Sequence, residues 1–287
     1  MRVDEIYIDM AADILENGVD EQDVSSKVRA VWNDGKSAYT KYLTQKFVEY
    51  KEGEVPIISL RKIAWKSAIK EILWIYKDKS NDVNVFNEKY NVKYWDSWKD
   101  QNSTLGKAYG YQTAKKFISP ETKKPVDQVE RLIEQLKTNP LNRRLIINLY
   151  DVDDLSEMTL IPCAFMTLWT VREDKLDLTL IQRSGDFLAA AAPGNINAFQ
   201  YYVLLRMICQ VTGFKPGKFT HFIQNIHIYK KHIPIVKKII EKEEKKDSKP
   251  ILKINPEVKR FEDFDVDDFE LIGYKPYEDK YSIDIAI

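Results

Sequence analysis

The residues best suited to chemistry lie in two short hydrophobic segments. Cys163 lies in Leu160-Ile-Pro-Cys-Ala-Phe165, and Arg183 lies further along, in Gln182-Arg-Ser-Gly-Asp186. We expect these segments to lie in neighbouring strands, and a nearby cation stabilises the thiolate that makes cysteine a nucleophile. Cys163 is therefore the first candidate nucleophile. Cys209 lies in an apolar helical pattern, which is typical of an inert buried thiol.

A second group of residues could bind a phosphate. A guanidinium offers a planar pair of donors that matches two phosphate oxygens. The candidates are Arg29, Arg143, Arg144, Arg183 and Ser184. The adjacent pair Arg143 and Arg144 could equally be a solvated surface pair, and the sequence alone does not show whether the group converges.

Glu71 is unusual because it is a carboxylate in an otherwise apolar helical pattern. A carboxylate in such a place must be paired, hydrated or functional. One interpretation is a salt bridge with Lys66 or Lys70. The other is a general acid or base whose pKa is raised by burial.

Composition excludes several classes of protein. The 287 residues include 44 Lys and Arg and 44 Asp and Glu, so no net charge draws the chain to DNA or to an anionic membrane. The N-terminal segment lacks the features of a signal peptide, and no apolar run approaches a membrane span. We therefore expect a reduced, cytoplasmic protein outside the membrane. The histidines lack zinc-like cysteine partners, so we expect no metal.

Hydrophobic periodicity predicts the elements that would position these residues. The predicted helices are 6–15, 65–76, 126–136 and 198–211, and the predicted strands are 145–150, 165–171 and 176–181. Asp34-Gly35 predicts a turn shortly after Arg29, and 81–112 is predicted to be an ordered surface segment. We expect one domain over residues 1–287.

These motifs, in this order, resemble those of the folate-dependent thymidylate synthase family, which includes related deoxyuridylate and deoxycytidylate hydroxymethylases. The matching segments are Lys70-Glu-Ile-Leu-Trp74, Tyr94-Trp-Asp-Ser-Trp98, Leu105-Gly-Lys-Ala-Tyr-Gly110, Asn142-Arg-Arg144, Pro162-Cys163, Gln182-Arg-Ser-Gly-Asp186, His227-Ile-Tyr229 and Ile285-Ala-Ile287. An ordered set is far more specific than one motif. The resemblance implies an α+β fold, with a mixed β-sheet covered by helices and with the sheets of a homodimer packed back to back.

The resemblance also implies roles for the nucleophile and the phosphate ligands. Cys163 would attack C6 of the uracil in deoxyuridine monophosphate (dUMP), which makes C5 a carbon nucleophile. Arg183 would both steady the thiolate and contact the phosphate. The implied phosphate ligands are Arg29, Arg183 and Ser184 of one subunit, with Arg143 and Arg144 of the partner subunit.

Recognition of the base and sugar is implied at other positions. Asn197 would read the uracil edge, because an amide can accept from N3–H and donate to O4. Gln182 is a further substrate-binding candidate. His227 and Tyr229 would hydrogen-bond to the sugar 3′-hydroxyl and so select deoxynucleotides. Asn195 is a second candidate for the uracil-reading amide, although the register of the following helix favours Asn197.

The implied co-substrate is 5,10-methylenetetrahydrofolate. The positions implied to manage proton transfers or to hold this folate are Glu71, Trp95, Trp98, Tyr109 and Asp186, with Arg61 at the folate tail. The C-terminal segment 281–287 would form a lid over the folate, with the carboxylate of Ile287 as its latch. The alternative interpretation of this segment is an edge strand.

The chain departs from the family pattern mainly between Asp186 and Asn197. This segment is about three residues longer than usual and lacks the usual Pro-Phe-Asn pattern. In addition, Ala164 follows the cysteine where histidine is common, and Asn225 stands where aspartate is common.

The first hypothesis is a thymidylate synthase, which would methylate dUMP with carbon and hydride from the folate. The close alternative is a dUMP hydroxymethylase, which would add water to the same methylene intermediate, and the altered segment keeps this possibility open. A third hypothesis is a catalytically silent homologue that binds nucleotide or RNA as a regulator. Retention of Cys163, Glu71 and Asp186 argues against it.

Overall fold

The structure is a computed structural model that describes residues 2–243, 245 and 247–287. The α-helices are α1 (Arg2–Asn17), α2 (Glu21–Val24), α3 (Trp65–Ile72), α4 (Val83–Tyr90), α5 (Gly110–Ala114), α6 (Gln128–Thr138), α7 (Ile196–Thr212) and α8 (Ile233–Ile240). The strands are β1 (Val19–Asp20), β2 (Thr40–Tyr50), β3 (Phe117–Ile118), β4 (Pro125–Val126), β5 (Ile146–Asn148), β6 (Ala164–Arg172), β7 (Lys175–Gln182), β8 (Gly185–Asp186), β9 (Lys215–Tyr229), β10 (Ile251–Ile254) and β11 (Phe269–Ile272).

A seven-stranded mixed sheet forms the centre of the molecule. Its strand order is β1-β2-β9-β7-β6-β5, and β8 also pairs with β9. The pairs β7–β9 and β8–β9 are parallel, whereas β1–β2, β2–β9, β5–β6 and β6–β7 are antiparallel. The sheet and its covering helices confirm the predicted α+β class.

The predicted helices are present with modest changes of boundary. The predicted helix 65–76 begins at Trp65 as α3 and continues as a π-helical turn, Leu73–Lys77. Helix α7 is buried on nearly every face and ends at Gly213, whose φ of 86° is the left-handed conformation that glycine tolerates best. No helix in the described part of the chain is both long and apolar enough to cross a bilayer.

The two longest strands, β2 and β9, were not predicted by the sequence pattern. They pair from Thr40 with Tyr229 to Tyr50 with Phe219. Helix α4 was also not predicted, and its Val83, Phe86 and Tyr90 are buried rather than exposed. The segment 81–112 is therefore partly core, and the prediction of a surface segment is wrong for this part.

The β6–β7 hairpin brings the first candidate residues together, as predicted. Ala164 pairs with Gln182, so the residues just beyond this pair face each other at the end of the hairpin. The Arg183 N–H donates to the Cys163 carbonyl oxygen across 2.9 Å. The tight turn at the other end has Glu173 at a φ of 58°.

Candidate active site

Cys163 and Arg183 are in direct contact at the end of the hairpin. The Cys163 Sγ lies 3.8 Å from the Arg183 Nη2. The guanidinium is fixed by the chain just before the cysteine, because its Nε donates to the Pro162 carbonyl at 3.0 Å and its Nη2 to the Ile161 carbonyl at 2.6 Å. The cation is thus held beside the sulfur by the same segment that carries the sulfur.

Burial and charge act in opposite directions on the thiol. Burial raises the pKa of Cys163 above its ordinary value, the charges of Arg183 and Arg29 lower it, and Asp186 raises it. Burial has the largest effect, so the thiol form is favoured in the protein alone. Arg29, one of the predicted phosphate ligands, is therefore near enough for its charge to lower the pKa of the candidate nucleophile.

Tyr109 also contacts Cys163. Its phenolic oxygen accepts a hydrogen bond from the Cys163 backbone N–H at 3.3 Å. Tyr109 has a φ of 48°, which strains a bulky residue and occurs most often at functional sites. The next residue, Gly110, packs so closely on Ser80 that an added Cβ would lie 1.8 Å from the Ser80 carbonyl oxygen.

Glu71 is held by three donors and not by a lysine. Its carboxylate accepts from the Tyr94 hydroxyl at 2.6 Å, the Trp95 indole at 3.1 Å and the Gln200 amide at 2.5 Å. Burial raises the pKa of Glu71, and these hydrogen bonds partly oppose that effect. The Lys70 ammonium instead donates to the Tyr90 carbonyl. The described contacts therefore favour the acid or base interpretation over the salt bridge.

Gln200 was not identified in the sequence as a candidate site residue. It is 3% exposed on α7, and it contacts both Glu71 and Asn197. The signal available in the sequence was one amide within an apolar helical pattern. Such an amide must find polar partners when it is buried.

The structure gives the two candidate asparagines different environments. Asn195 is fully buried at the N-cap of α7, where its Nδ2 donates to the Phe187 and Leu188 carbonyls. Its Oδ1 accepts from Arg61 Nη2 and from the Ile196 N–H. Asn197 is half-buried. These contacts favour Asn197 as the amide available to a ligand.

Arg61 was expected at the folate tail, but in this structure it holds the lengthened segment. It is 8% exposed, and its Nη2 donates to the Leu188 carbonyl at 2.7 Å as well as to Asn195. A contact with the folate tail would require the guanidinium to leave these partners. The structure therefore does not bring Arg61 to an exposed position.

The lengthened segment is compact. Asp186 accepts from the N–H groups of Leu188 and Ala189 at 3.0 and 3.1 Å, and it thereby caps a π-helical turn, Phe187–Ala191. Phe187 is fully buried, with its ring 4.7 Å from the Tyr7 ring. Burial raises the pKa of the Asp186 carboxyl to about 6.

His227 and Tyr229 lie together at the end of β9, with their ring centroids 5.2 Å apart. The His227 Nδ1 lies 2.9 Å from the Asn225 Oδ1, so the amide that replaces the common aspartate still orients the ring. Burial lowers the pKa of His227 to about 4. At neutral pH the ring is uncharged, and the bond to Asn225 leaves Nε2 as an acceptor.

Trp95 packs in an aromatic cluster beside Glu71, whereas the C-terminal segment pairs with the loop after Arg29. Trp95 contacts Tyr109 and Trp98, with ring centroids 5.1 and 5.5 Å apart. The backbone of Ile287 exchanges two hydrogen bonds with Val31, at 2.9 and 3.0 Å. The terminal segment thus pairs with the loop that follows Arg29.

The other two arginines of the predicted phosphate site, Arg143 and Arg144, are exposed in the loop before β5. Arg144 borders a groove that it shares with Lys115, Arg131 and Tyr150. Neither Cys163 nor Arg183 lines this groove. The described residues contain no group of three or more His, Cys, Asp or Glu that could hold a metal ion.

A mixed sheet that holds a cysteine beside a fixed arginine, near a carboxylate held by three donors, is an arrangement typical of an α+β enzyme that uses a thiol nucleophile. A family model described as thymidylate synthase matches residues 5–287. The chain belongs to the thymidylate synthase family, and thymidylate synthases are methyltransferases.

Individual relatives agree with this assignment over nearly the full length. The chain is 44% identical over 286 residues to thymidylate synthases of Bacillus subtilis subsp. natto and of Bacillus phage phi3T, covering 99% of both chains in each case. A solved structure of thermostable thymidylate synthase A from Bacillus subtilis matches with a TM-score of 0.91 at 43% identity, covering 99% of each chain. The family, the fold class and the enzyme class predicted from the sequence are confirmed.

Proposed function

We propose that this protein is a thymidylate synthase that converts dUMP to thymidylate with methylenetetrahydrofolate as carbon and hydride donor. The observation that carries the proposal is the contact between the Cys163 Sγ and the Arg183 guanidinium at 3.8 Å. This pair combines a nucleophile with a cation that can also bind phosphate.

The first chemical step is addition of the Cys163 sulfur to C6 of uracil. The thiol first loses its proton, which Arg183 and Arg29 favour by lowering the pKa. The S–C6 bond forms as the electron pair of the C5–C6 bond moves toward C5 and O4. The Asn197 amide can donate to O4 and stabilise that charge.

The other substrate contacts follow from the same geometry. Arg29, Arg183 and Ser184 bind the phosphate, and Gln182 supports the base site. His227 accepts from the sugar 3′-hydroxyl through its free ring nitrogen, with Tyr229 beside it. A ribonucleotide has the same phosphate, base and 3′-hydroxyl that these residues bind. Selection against it therefore depends on the space at the 2′ position.

The folate fits the aromatic and acidic side of the site. When bound, it supplies the methylene carbon and the hydride. The rings of Trp95 and Trp98 offer stacking surface, and Asp186 offers a carboxylate whose pKa of about 6 lies near neutral pH. Glu71 and Tyr109 lie beside Trp95 and manage proton transfers at the base. The segment that ends at Ile287 excludes water from the intermediate.

We further propose that the working unit is a homodimer in which Arg143 and Arg144 complete the partner's phosphate site. Their exposure supports this arrangement, as does the absence of Cys163 and Arg183 from the groove that Arg144 borders. The two free cysteines fit a reducing cytoplasm.

Product analysis tests the proposal directly. The purified protein is incubated with dUMP and methylenetetrahydrofolate. Dihydrofolate formation is followed by absorbance, and the mass of the nucleotide product is measured by mass spectrometry. A synthase gives thymidylate and dihydrofolate in equal amounts. Hydroxymethyl-dUMP with tetrahydrofolate would instead identify a hydroxymethylase, and binding of dUMP without turnover would identify a silent homologue.

A further inference from the structure

A line of hydrogen-bonded side chains connects Glu71 to the buried interior of the sheet. From Glu71 on α3 it passes to Gln200 at 2.5 Å, and from Gln200 to Asn197 at 3.1 Å. It continues from Asn197 to Gln182 at 3.2 Å, and from Gln182 to His221 at 2.8 Å. Gln200, Gln182 and His221 are almost fully buried, at 3%, 2% and 0% exposure.

Each amide in this line has only one satisfactory orientation. An ionised Glu71 only accepts, so Gln200 must direct its NH2 group toward Glu71 and its oxygen toward Asn197. The Asn197 Nδ2 then donates to Gln200, and its Oδ1 accepts from Gln182. Gln182 is fixed independently, because its Nε2 also donates to the Ser184 carbonyl at 2.9 Å.

The orientation of Asn197 decides which base it can read. Its remaining N–H and its remaining lone pair are a donor for O4 and an acceptor for N3–H, which is the pattern of uracil. Cytosine presents an acceptor at N3 and a donor at N4, so it needs the reversed amide. Reversal would place the Asn197 oxygen against the Gln200 oxygen and two NH2 groups against each other at Gln182.

We propose that Gln200 is a specificity-determining and positioning residue, which holds Asn197 in the uracil-reading orientation and links that orientation to Glu71. The inference rests on the proposed function. Gln200 acts through Asn197 and Glu71 and needs no contact with the substrate. The line makes base recognition and the charge state of Glu71 mutually dependent, because a protonated Glu71 would favour the opposite orientation of the Gln200 amide.

The pH dependence follows from the groups around Glu71. Its carboxylate faces Tyr94 and Trp95 of the segment after α4 and Gln200 of α7, and its charge also acts on Tyr109 and Tyr201. The Gln200 hydrogen bond lowers the pKa of Glu71 against the effect of burial. Removing this donor should therefore raise the pKa of Glu71 and move the corresponding limb of the pH profile upward.

Two substitutions separate the two functions of Gln200. Gln200→Met has nearly the same shape but neither donates nor accepts strongly, so it should lose both functions. Gln200→Glu keeps an oxygen for the Asn197 NH2 group but places a second carboxylate beside Glu71. It should therefore retain uracil preference while it raises the pKa of Glu71. Gln210→Met is the matched control, because this α7 amide donates to the carbonyls of Asn255 and Val258, away from Glu71 and Asn197.

The experiment measures the ratio of dissociation constants for dUMP and dCMP. It also measures the pH profile of kcat/KM for tritium release from dUMP labelled at C5 in the presence of methylenetetrahydrofolate, because C5 loses its hydrogen after it bonds to the methylene carbon. Gln200→Met should reduce the dUMP preference by roughly tenfold or more and move the Glu71 limb to higher pH. Gln200→Glu should move the Glu71 limb of the pH profile and leave the dUMP preference unchanged. Gln210→Met should change neither the limb nor the preference. Unchanged preference and profile in a folded Gln200→Met protein would overturn the proposal.

Two further outcomes are decisive. If thermal unfolding shows that Gln200→Met does not fold, Gln200→Glu alone tests the link, and an unmoved limb in that variant overturns it. If the parent enzyme itself releases no tritium from dUMP, the proposed function fails, which is distinct from failure of the role of Gln200.

Discussion

At the scale of single residues, burial and charge act in opposite directions on the Cys163 thiol, the proposed nucleophile. Burial raises its pKa, whereas Arg183 and Arg29 lower it. The two arginines are also proposed phosphate ligands, so a bound phosphate would neutralise part of the charge that favours the thiolate. The enzyme must therefore balance nucleophile activation against substrate binding in the same two side chains.

Cys163→Ala should abolish turnover while dUMP still binds. The sulfur makes the covalent bond, whereas the arginines and Asn197 supply most of the affinity, so kcat should fall by a factor on the order of 10⁴ or more. Steady-state assays and calorimetric titration of dUMP test both parts. Appreciable turnover in a preparation free of wild-type enzyme would remove Cys163 from the mechanism.

Asp186→Asn should stabilise the fold near neutral pH while it impairs the reaction. Because the folded pKa of about 6 lies above the ordinary 3.8, the stabilising protonation is complete below about pH 4 and is lost as pH rises through 6. The amide keeps an oxygen for the N–H groups of Leu188 and Ala189 and has no charge to bury.

We therefore expect Asp186→Asn to gain about 1–3 kcal/mol over the parent at pH 7.5 and nothing at pH 4. Denaturant unfolding at both pH values measures the difference. An equal gain at the two values would show that the effect does not come from titration of this carboxyl.

Asn197→Asp should shift base preference toward deoxycytidylate. A protonated carboxyl can donate to N3 of cytosine and accept from its amino group, whereas the amide fits uracil. Competition between dUMP and dCMP measures the shift. Asn195→Asp is the comparison, and a larger shift in that variant would reverse the assignment that the N-cap contacts of Asn195 support.

At the scale of elements, the helices and strands that the sequence predicts carry their signal in their own residues. Those that it misses depend on partners far along the chain. The β6–β7 hairpin and α7 carry their signals locally, as alternating apolar residues and as an apolar helix that ends in glycine. Strand β2 pairs with β9, more than 160 residues further along the chain, and its burial follows no simple alternation. Its existence depends on that partner more than on its own composition.

The candidate site divides in the same way. Cys163 and Arg183 are linked by a hairpin that is visible in the sequence, so their contact was predictable. The contacts of Arg61 depend on a lengthened segment that carries no strong local pattern, and Gln200 resembles the apolar residues around it on α7. The contacts of such side chains come from elements far along the chain, so they are known only once the folded structure is known.

Deletion of Ile287 should impair product formation while it leaves dUMP binding nearly intact. The residue exchanges two backbone hydrogen bonds with Val31, and its loss would release the end of the segment that we propose acts as a lid. Single-turnover product formation and dUMP titration measure the two effects. Product formation at the full-length rate, or loss of dUMP binding through unfolding, would contradict the lid.

At the scale of the whole molecule, the proposed phosphate site includes two arginines of a partner chain. Arg143 and Arg144 precede the edge strand β5 and are exposed. The sheet is covered by helices such as α1, α6 and α7. A homodimer with sheets packed back to back would bring an arginine loop of each chain toward the other chain's phosphate site.

Mixing two inactive variants tests this arrangement. Arg144→Ala should fail because both phosphate sites lack the partner's arginine, and Cys163→Ala should fail because both lack the nucleophile. In a mixed dimer, one site combines the intact Cys163 of the first chain with the intact Arg144 of the second, whereas the other site has lost both groups. Random exchange makes half of the dimers mixed, so with one working site in each the mixture should regain roughly one quarter of wild-type activity.

Subunit exchange must be proven in the same samples, for which differently tagged chains and co-purification suffice. A mixture of Cys163→Ala with Cys163→Ser is the matched control and should stay inactive, because no dimer then contains a nucleophile. If exchange is complete and the Arg144→Ala and Cys163→Ala mixture also stays inactive, Arg144 serves the site of its own chain or none. Recovery would place the phosphate site across two chains, and dilution below the dimer dissociation constant should then lower activity even at saturating dUMP.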